Sequence, residues 1–430
     1  MKRFFTFLMV VFAAFSFIKA GDFVVTTVDD EGDGSFRAAV SAAKSSGDNN
    51  NTIRFDIPFN DEITLYAQIP TFDGAGKVYV VDGLNEATGN PIVLYFAPTD
   101  GNRIFRVATG AGNEGVDVTI KNFVVQDVAV TGRGSVIDSG NSAYTTPSFT
   151  VTLENCYFKN CSTTAEGGVY WVSHGTDLTI KNCTFEGNKQ LGSEDPNVSN
   201  FGGGAICSTG NNTAKVTIIN STFFGNYGAG RAGAIYCGHP MTIINTTIVG
   251  NQGSGCGGIY FHNANTHTIV NSIIAYNYGT AATTETYANQ IDLRRNGATV
   301  ANVSYSLIGE NNLAESDKGD GYKVLLGSSI VFKDYQMVDG HYIPVLADNG
   351  GLTPTVALAF SYSSDVLEAG TKTSGDLPIP TTDQRGAPRL DPPSMGAYDN
   401  PNYVFSGLPQ IVKQALTAWG DGKVWYGCPR

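Results

Sequence analysis

The sequence predicts an all-β protein whose chain forms a single-stranded right-handed parallel β-helix, a solenoid with short capping helices. First, one segment recurs about every 25 residues where its copies are closest, as LTIKNCTFEGN (178–188), VTIINSTFFGN (216–226), MTIINTTIVGN (241–251) and HTIVNSIIAYN (267–277). Second, small residues before an apolar run follow most copies, as GGVY (167–170), GGAI (203–206), AGAI (232–235) and GGIY (257–260). Third, 51 glycines and only 15% charged residues are typical of a β-rich, turn-dense protein.

Each repeat has the pattern of a short strand, an Asn corner, a second strand, a variable loop, the small-residue motif and a third strand. One such unit cannot bury its inward face alone, but stacked copies can, which is why the repeat predicts a solenoid. Equivalent inward positions should then form columns along the solenoid. These are Ile180, Ile218, Ile243 and Ile269 in one column, and Phe185, Phe223, Ile248 and Ile274 in another.

The corner asparagines are predicted to form a structural ladder. A corner exposes main-chain groups that no strand partner satisfies, and an Asn amide can bond those groups and the Asn one turn above. The predicted ladder comprises Asn155, Asn182, Asn220, Asn245 and Asn271, and a second column six residues later comprises Asn188, Asn226, Asn251 and Asn277. Asn220 also matches an N-glycosylation sequence, but a sugar on an inward amide would break its hydrogen bonds, so the structural role is favoured.

Both ends of the chain carry signals of their own. Two basic residues, an apolar run and Ala20 predict a secretory signal peptide. Ser35 is placed to cap a short helix that would cover the first turn of the solenoid. The predicted divisions are a signal peptide (1–20), an N-terminal cap with the first turns (21–105), the repetitive body (106–345), a closing segment (346–400) and a tail with a short helix (401–430).

Composition restricts the partners. The net charge is −12, and loss of the three basic residues in 1–20 lowers it to about −15, which argues against nucleic acid as a ligand. Beyond the signal peptide no stretch is apolar enough to cross a bilayer, so the cleaved chain is not expected to be an integral membrane protein. The seven cysteines show no spacing typical of a structural zinc site.

Several segments resemble known exported β-helix families. GGAI (203–206), with FEGN (185–188) and FFGN (223–226), resembles the repeats of polymorphic outer membrane proteins, which are surface adhesins. DQRGAPRLDPPSMGAYD (383–399) resembles the closing segment of bacterial "choice-of-anchor Q" proteins, and VVTTVDDEGDGSFRAAVSAAKSSG (24–47) resembles their opening segment. The resemblance implies an exported, surface-associated bacterial β-helix and says little about activity.

Catalysis is the alternative, because right-handed β-helices include polysaccharide lyases and glycoside hydrolases. The repeat strands carry no paired Asp motif of the kind that hydrolases need. Charged residues on three successive variable loops would face a common groove, and they are Glu166, Lys189, Glu194, Asp195 and Arg231. Arg231 is the candidate base of a lyase of the pectate-lyase-like class, with Ca²⁺ as its candidate cofactor. If the protein is not a lyase, no cofactor is expected, and these charged loop residues are expected to be solvated surface residues.

Histidines and cysteines supply the remaining candidates. His239 and His262 follow the small-residue motif on neighbouring turns, where they are either metal ligands or ordinary turn residues. Cys156 and Cys183 directly follow the corner asparagines of adjacent units. That position fits either a disulfide or a small apolar side chain in a tight slot.

Together these observations predict an exported protein, secreted or on the outer surface of a bacterium, that serves in adhesion or in binding glycans or other surfaces without catalysis. The partner would be a polysaccharide or a cell-surface ligand. The aromatic residues Tyr157, Tyr170, Trp171 and Tyr260 lie near strands, where rows of exposed rings bind sugars and single rings serve packing. The alternatives are the polysaccharide lyase that uses the groove near Arg231 and a passive structural spacer.

Overall fold

A computed structural model describes residues 21–98, 101–140, 142, 144–192, 202–209, 214–263, 265–279, 292–296, 300–361 and 364–399. The predicted signal peptide, Glu194, Asp195 and the tail helix lie outside these residues. Within them the chain forms stacked parallel sheets, which confirms the predicted β-helix. None of the helices in the described ranges is long and apolar enough to cross a membrane.

Four parallel sheets run along the solenoid, and each turn contributes one strand to each sheet where all four are present. Sheet A contains Asp22–Val25, Asn50–Phe55, Val78–Asn85, Asp117–Lys121, Phe149–Glu154, Thr176–Lys181, Val216–Ile219, Met241–Ile244, Thr266–Val270 and Val300–Ser304. Sheet B contains Glu62–Leu65, Ile92–Phe96, Phe123–Gln126, Tyr157–Lys159, Thr184–Glu186, Thr222–Phe224, Thr247–Val249, Ile273–Ala275, Leu307–Ile308 and Lys323–Val324.

The other two sheets have shorter strands and complete the turn. Sheet C contains Phe105–Val107, Ile137–Ser139, Tyr170–Val172, Ile206–Ser208, Ile235–Cys237, Ile259–Phe261 and Leu293–Arg295. Sheet D contains Ala129–Val130, Ser162–Thr163, Lys189–Gln190, Tyr227–Gly228, Gln252–Gly253 and Tyr278–Gly279. Along the chain a turn therefore passes through sheets A, B, D and C before it returns to A.

Apolar side chains alternate along the strands and point into the solenoid, because successive residues of a strand face opposite sides. In sheet A the strand register aligns Ile180, Ile218, Ile243 and Ile269, all of them buried. In sheet B it aligns Phe185, Phe223, Ile248 and Ile274. The rings of Phe185 and Phe223 stack with their centroids 4.6 Å apart, so like residues on successive turns form a continuous core.

The corner between sheets A and B requires a left-handed backbone. φ lies between 47° and 61° at Asn122, Asn155, Asn182, Asn220, Asn245 and Asn271, and Asn tolerates this region better than most residues. Side-chain amides join part of this column, because Asn182 donates to Asn155 (3.2 Å) and Asn155 donates to Asn122 (3.1 Å). Asn220 and Asn271 donate instead to carbonyl oxygens of a C-terminal segment, at 2.9 and 2.7 Å. Among the described residues Asn245 finds no side-chain partner.

The longer amide ladder is the second Asn column, at the corner between sheets B and D. The Nδ2 of Asn188 donates to Asn226 (2.9 Å), Asn226 to Asn251 (2.8 Å), and Asn251 to Asn277 (2.8 Å). The Oδ1 that accepts from each amide also accepts a hydrogen bond from the main-chain N–H of the same donating Asn. All four side chains are buried, so the ladder satisfies polar groups that water cannot reach. Each amide of the ladder donates to the next turn toward the C-terminus. The last one, Asn277, donates its amide and its main-chain N–H to Asp292.

The helix at the N-terminus covers the first turns. It spans Phe36–Ser45, and Ser35 caps it by accepting the N–H of Ala38. Its buried residues are Phe36, Ala39, Val40 and Ala43, the face that helical spacing predicts. Phe36 contacts the ring of Phe55 edge-on, with centroids 5.1 Å apart, so the helix closes the open end of the apolar core. A short 3₁₀ helix spans Glu315–Asp317.

The C-terminal segment (331–399) lies along the outer face of sheet B. It contains two antiparallel pairs, Tyr335–Val338 with His341–Pro344 and Leu346–Ala347 with Thr355–Val356. Thr184 donates to the carbonyl of Pro354 (2.6 Å), Thr222 donates to Gln384 (2.6 Å), and the main chain of Ala397 donates to Thr247 (2.9 Å). The sequence predicts a closing segment at 346–400, and the structure shows this stretch along the side of the solenoid. Thr and apolar residues at the outward positions of sheet B, such as Phe224, explain why that face is covered.

Candidate functional site

The outer face of sheet C carries aromatic and charged side chains in one column. Each strand of this sheet has three residues, and its first residue lies in the solenoid core, so the central residue points outward. The strand register aligns the central residues in the order Arg106, Asp138, Trp171, Cys207, Tyr236, Tyr260 and Arg294. Neighbouring members are about 4.8 Å apart along the solenoid. Asp138, Cys207, Tyr236 and Tyr260 are buried, whereas Arg106, Trp171 and Arg294 are half-buried.

Stacked rings form the base of this face. Tyr236 and Tyr260 lie parallel, with an interplanar angle of 9° and centroids 5.6 Å apart. With Cys207 they belong to an apolar cluster separate from the solenoid core, and Trp171 contacts its edge. Both tyrosines are buried, whereas Trp171 is half-buried and donates its indole N–H to Thr209 (3.1 Å). Trp171 is thus the most exposed ring of this cluster.

Guanidinium groups lie over these rings. The Cζ of Arg133 is 4.7 Å from the centroid of Trp171. The Cζ of Arg231 is 5.8 Å and that of Arg294 is 5.1 Å from the centroid of Tyr260. These distances are within the range of cation–π attraction, which fixes a flexible arginine in one orientation. Arg133 and Arg231 are exposed and Arg294 is half-buried, so the charges lie at the rim of the face.

Carboxylates accompany the arginines at the N-terminal end of the face. Asp138 is 3% exposed at its side chain and pairs with Arg103 and, at 3.3 Å, with Arg106. Burial raises the pKa of Asp138 above its ordinary value, and the two arginines oppose that shift. Glu166, a loop residue of the predicted groove, is also buried and accepts from the Nε of Arg133 (2.6 Å). These carboxylates therefore serve to position arginines.

The predicted base, Arg231, lies beside a histidine. Its Nη1 is 3.4 Å from the Nδ1 of His262, whose ring lies 5.3 Å from that of Tyr236. Partial burial, and then the charge of Arg231, lower the pKa of His262, so this imidazole is neutral near pH 7. Burial raises the pKa of Tyr236 above its ordinary value, so this phenol stays protonated. Arg231 and His262 thus place a cation beside a neutral imidazole, next to the buried phenol of Tyr236.

The other predicted site residues lie elsewhere. Lys189 is exposed on sheet D, where the strand register aligns it with Ser162 and Tyr227. His239 is fully buried, its Nδ1 bonds Ser208 Oγ, and burial lowers its pKa to about 4. Within the described ranges no group of three or more His, Cys, Asp and Glu residues could hold a metal ion.

The cysteines at the sheet A to sheet B corner carry free thiols. Cys156 and Cys183 lie on adjacent turns, and the main-chain N–H of Cys156 donates to the sulfur of Cys183 (3.4 Å). Both are fully buried, and burial raises the pKa of Cys183 well above that of an ordinary thiol. Each side chain fills a small apolar space beneath the corner.

Six members of the face escaped the sequence reasoning, namely Arg103, Arg106, Arg133, Asp138, Tyr236 and Arg294. The signal for Tyr236 lies one residue beyond the small-residue motif, since AGAI (232–235) continues into Tyr236 as GGI (257–259) continues into Tyr260. When the residue after the Ile of each motif is aligned, Tyr236 falls beside Tyr260 in the outward column of sheet C. Arg294 stands outside recognisable copies of the motif, and only the strand register brings it to this face. Arg133 lies in a loop, and its contact with Trp171 shows that it belongs here.

The fold and this face together define a class, a parallel β-helix protein with an aromatic and cationic strip along one outer sheet. Comparison with protein families finds no match for the chain, and comparison with curated proteins finds none either.

Proposed function

We propose that this chain is an exported surface protein that binds a saccharide chain along the outer face of sheet C without transforming it. The observation that supports the proposal is the strip itself, where Trp171 and the arginines over the stacked rings repeat along the solenoid axis. Aromatic rings offer a flat apolar surface to a sugar ring, and guanidinium groups offer several donors to its oxygen atoms. Groups spaced along the solenoid axis at Trp171 and at Tyr260 suit a linear polymer.

The buried tyrosines have a positioning role in this proposal. Tyr260 is 5% exposed, so a ligand would contact the arginines above it rather than its own ring. Because cation–π contact holds Arg231 and Arg294 near that ring, little side-chain entropy is lost when a ligand binds them. Trp171 would supply the direct stacking contact.

The test is a binding measurement on the whole protein. A glycan array would select a ligand, and isothermal titration would compare the unmodified protein with Trp171→Ala. We expect at least about tenfold weaker binding, which corresponds to about 1.4 kcal/mol. The matched control is Tyr342→Ala, because Tyr342 is 67% exposed on the antiparallel hairpin far along the chain from the strip. An array without binding, or equal affinities for Trp171→Ala and the control, would refute the proposal.

The second candidate is the polysaccharide lyase, and one observation favours it. Arg231 stands 3.4 Å from His262, whose lowered pKa keeps it able to accept a proton. A lyase needs a group that neutralises the sugar carboxylate beside a base that removes the adjacent proton, and these two side chains are of the right types. A Ca²⁺ requirement stays a prediction of this candidate.

Incubation with a panel of uronic-acid polysaccharides distinguishes the two functions. A lyase produces unsaturated products whose ultraviolet absorbance grows with time, and His262→Ala should abolish that signal. Binding without any rise in absorbance supports the saccharide-binding proposal.

A further inference from the structure

One corner residue of the solenoid departs from the pattern of its repeat. After the sheet B strand the backbone turns left-handed, and three successive turns place glycine there, as Gly187, Gly225 and Gly250, with φ between 61° and 69°. The next turn places Tyr276 at the same position, with a φ of 56°. An aromatic residue is strained in this region, because its Cβ crowds the backbone where glycine does not. A strained side chain at a corner that suits glycine suggests a role beyond the fold.

The ring of Tyr276 meets a second tyrosine, from the C-terminal segment. The hydroxyl oxygens of Tyr276 and Tyr335 are 3.1 Å apart, and their ring centroids are 5.4 Å apart at an interplanar angle of 61°. Phe332 packs edge-on against both rings, with centroids 5.9 and 6.2 Å away. The Tyr335 hydroxyl also accepts the main-chain N–H of Phe332 (3.2 Å), so the two phenols are held with their hydroxyls together.

An oxidant in solution can reach this pair. Tyr335 is 37% exposed and Tyr276 is half-buried. Burial, followed by the hydrogen bond with Tyr335, raises the pKa of Tyr276 above its ordinary value, so this phenol is protonated in neutral solution. The stacked pair of Tyr236 and Tyr260 differs, because both of its rings are buried. The two pairs thus differ in access, although their centroid separations of 5.4 and 5.6 Å are nearly equal.

We propose that Tyr276 and Tyr335 form an oxidative cross-linking site, where a peroxidase with hydrogen peroxide joins the two rings as dityrosine. Each phenol gives up one electron and one proton, and the unpaired spin of the resulting radical lies partly on the ring carbons beside the hydroxyl-bearing carbon. Two such carbons, one from each ring, form a bond. Each linked carbon then loses its proton while the neighbouring oxygen regains one, which restores both phenols. The two electrons and two protons removed overall reduce one hydrogen peroxide to two waters. Because the pair is already in contact, coupling within the molecule is favoured over coupling between molecules.

The cross-link would join the solenoid to the segment that covers it. Tyr276 follows the sheet B strand Ile273–Ala275, whereas Tyr335 begins the antiparallel pair of the C-terminal segment. The bond connects positions 59 residues apart in sequence. Closing a loop of that length restricts the unfolded chain and should raise the thermal midpoint by about 4 °C. This inference is independent of saccharide binding, because the pair lies at the corner between sheets B and D and not on the outer face of sheet C.

The experiment treats the whole protein, at a low concentration that disfavours dimers, with a peroxidase and hydrogen peroxide. Mass spectrometry of a digest of the monomer fraction should show the peptides of Tyr276 and Tyr335 linked, with two hydrogen atoms fewer than their sum. The fluorescence of dityrosine should appear in the same fraction. The thermal midpoint of the oxidised monomer should exceed that of the untreated protein by about 4 °C.

Tyr276→Phe and Tyr335→Phe test the pair while keeping both rings. Each should abolish the linked peptide and the rise in thermal midpoint, because a phenyl ring forms no phenoxyl radical. The control is Tyr342→Phe, at a tyrosine that is 67% exposed on the same hairpin, and it should leave the linked peptide unchanged. A circular dichroism spectrum equal to that of the parent shows that a variant retains the fold.

Two results would overturn the proposal. One is an oxidised monomer that contains no linked peptide of Tyr276 and Tyr335. The other is dityrosine that comes from the buried pair of Tyr236 and Tyr260 instead, because coupling would then not depend on access to the oxidant.

Discussion

Removal of Asn251 tests the buried amide ladder. Its Oδ1 accepts from the main chain (2.9 Å) and the amide (2.8 Å) of Asn226, and its Nδ2 donates to Asn277 (2.8 Å) and to the carbonyl of Phe223 (3.1 Å). In Asn251→Ala the N–H of Asn226 loses its partner inside the protein, which costs about 1–3 kcal/mol. The three other lost bonds add about 1 kcal/mol each, so the free energy of unfolding should fall by about 4–6 kcal/mol.

Equilibrium urea unfolding of the two proteins measures this difference, with the thermal midpoint falling by about 1 °C for each kcal/mol in a chain of this size. Asn245→Gly is the matched control, because Asn245 is fully buried but its amide has no partner among the described residues, and glycine accepts its φ of 51°. Its stability should stay within about 1 kcal/mol of the parent. An equal loss in both variants would show that the ladder bonds do not stabilise the solenoid.

Three further predictions concern buried groups. Burial raises the pKa of Asp292 to about 7, whereas an aspartate in an unfolded chain has a pKa of about 3.9. Between about pH 4 and pH 7 the folded protein therefore holds a proton on Asp292 that the unfolded chain has lost. The unfolding free energy should fall over that interval, and an identical pH profile in Asp292→Asn would contradict this. Gln384→Ala removes the hydrogen bonds to Thr184 and Thr222 and should detach the C-terminal segment from sheet B. The measurement is hydrogen exchange, which should become faster at Thr222–Phe224. The control Gln336→Ala, at an exposed position, should leave that exchange rate unchanged. The buried thiols of Cys156 and Cys183 should resist alkylation until the protein is denatured, and a disulfide-linked peptide of the two in a non-reducing digest would show this to be wrong.

The repeat made the core predictable but left its polar corners ambiguous. Inward columns such as Ile180 with Ile218 follow directly from aligned copies, because a solenoid places equivalent residues on successive turns. Two Asn columns six residues apart satisfy the same alignment. Only the backbone shows that the left-handed corner lies at Asn220 while the continuous buried ladder passes through Asn226.

The C-terminal segment and much of the strip lay beyond sequence reasoning for a different reason. Gln384 bonds Thr184 and Thr222 across 200 and 162 residues, and no repeat links those positions. Likewise Arg133 meets Glu166 because two loops project from adjacent turns. Contacts of this kind depend on where irregular segments lie against a regular scaffold, and local patterns in the sequence carry no record of that.

Saccharide binding on the outer face of sheet C can be observed directly. The most direct measurement is a crystal structure of the protein with the oligosaccharide that binds it most tightly. We expect a sugar ring against Trp171 and sugar oxygen atoms within hydrogen-bond distance of Arg231 or Arg294. Sugar bound to another face of the solenoid, with the strip empty, would contradict this expectation.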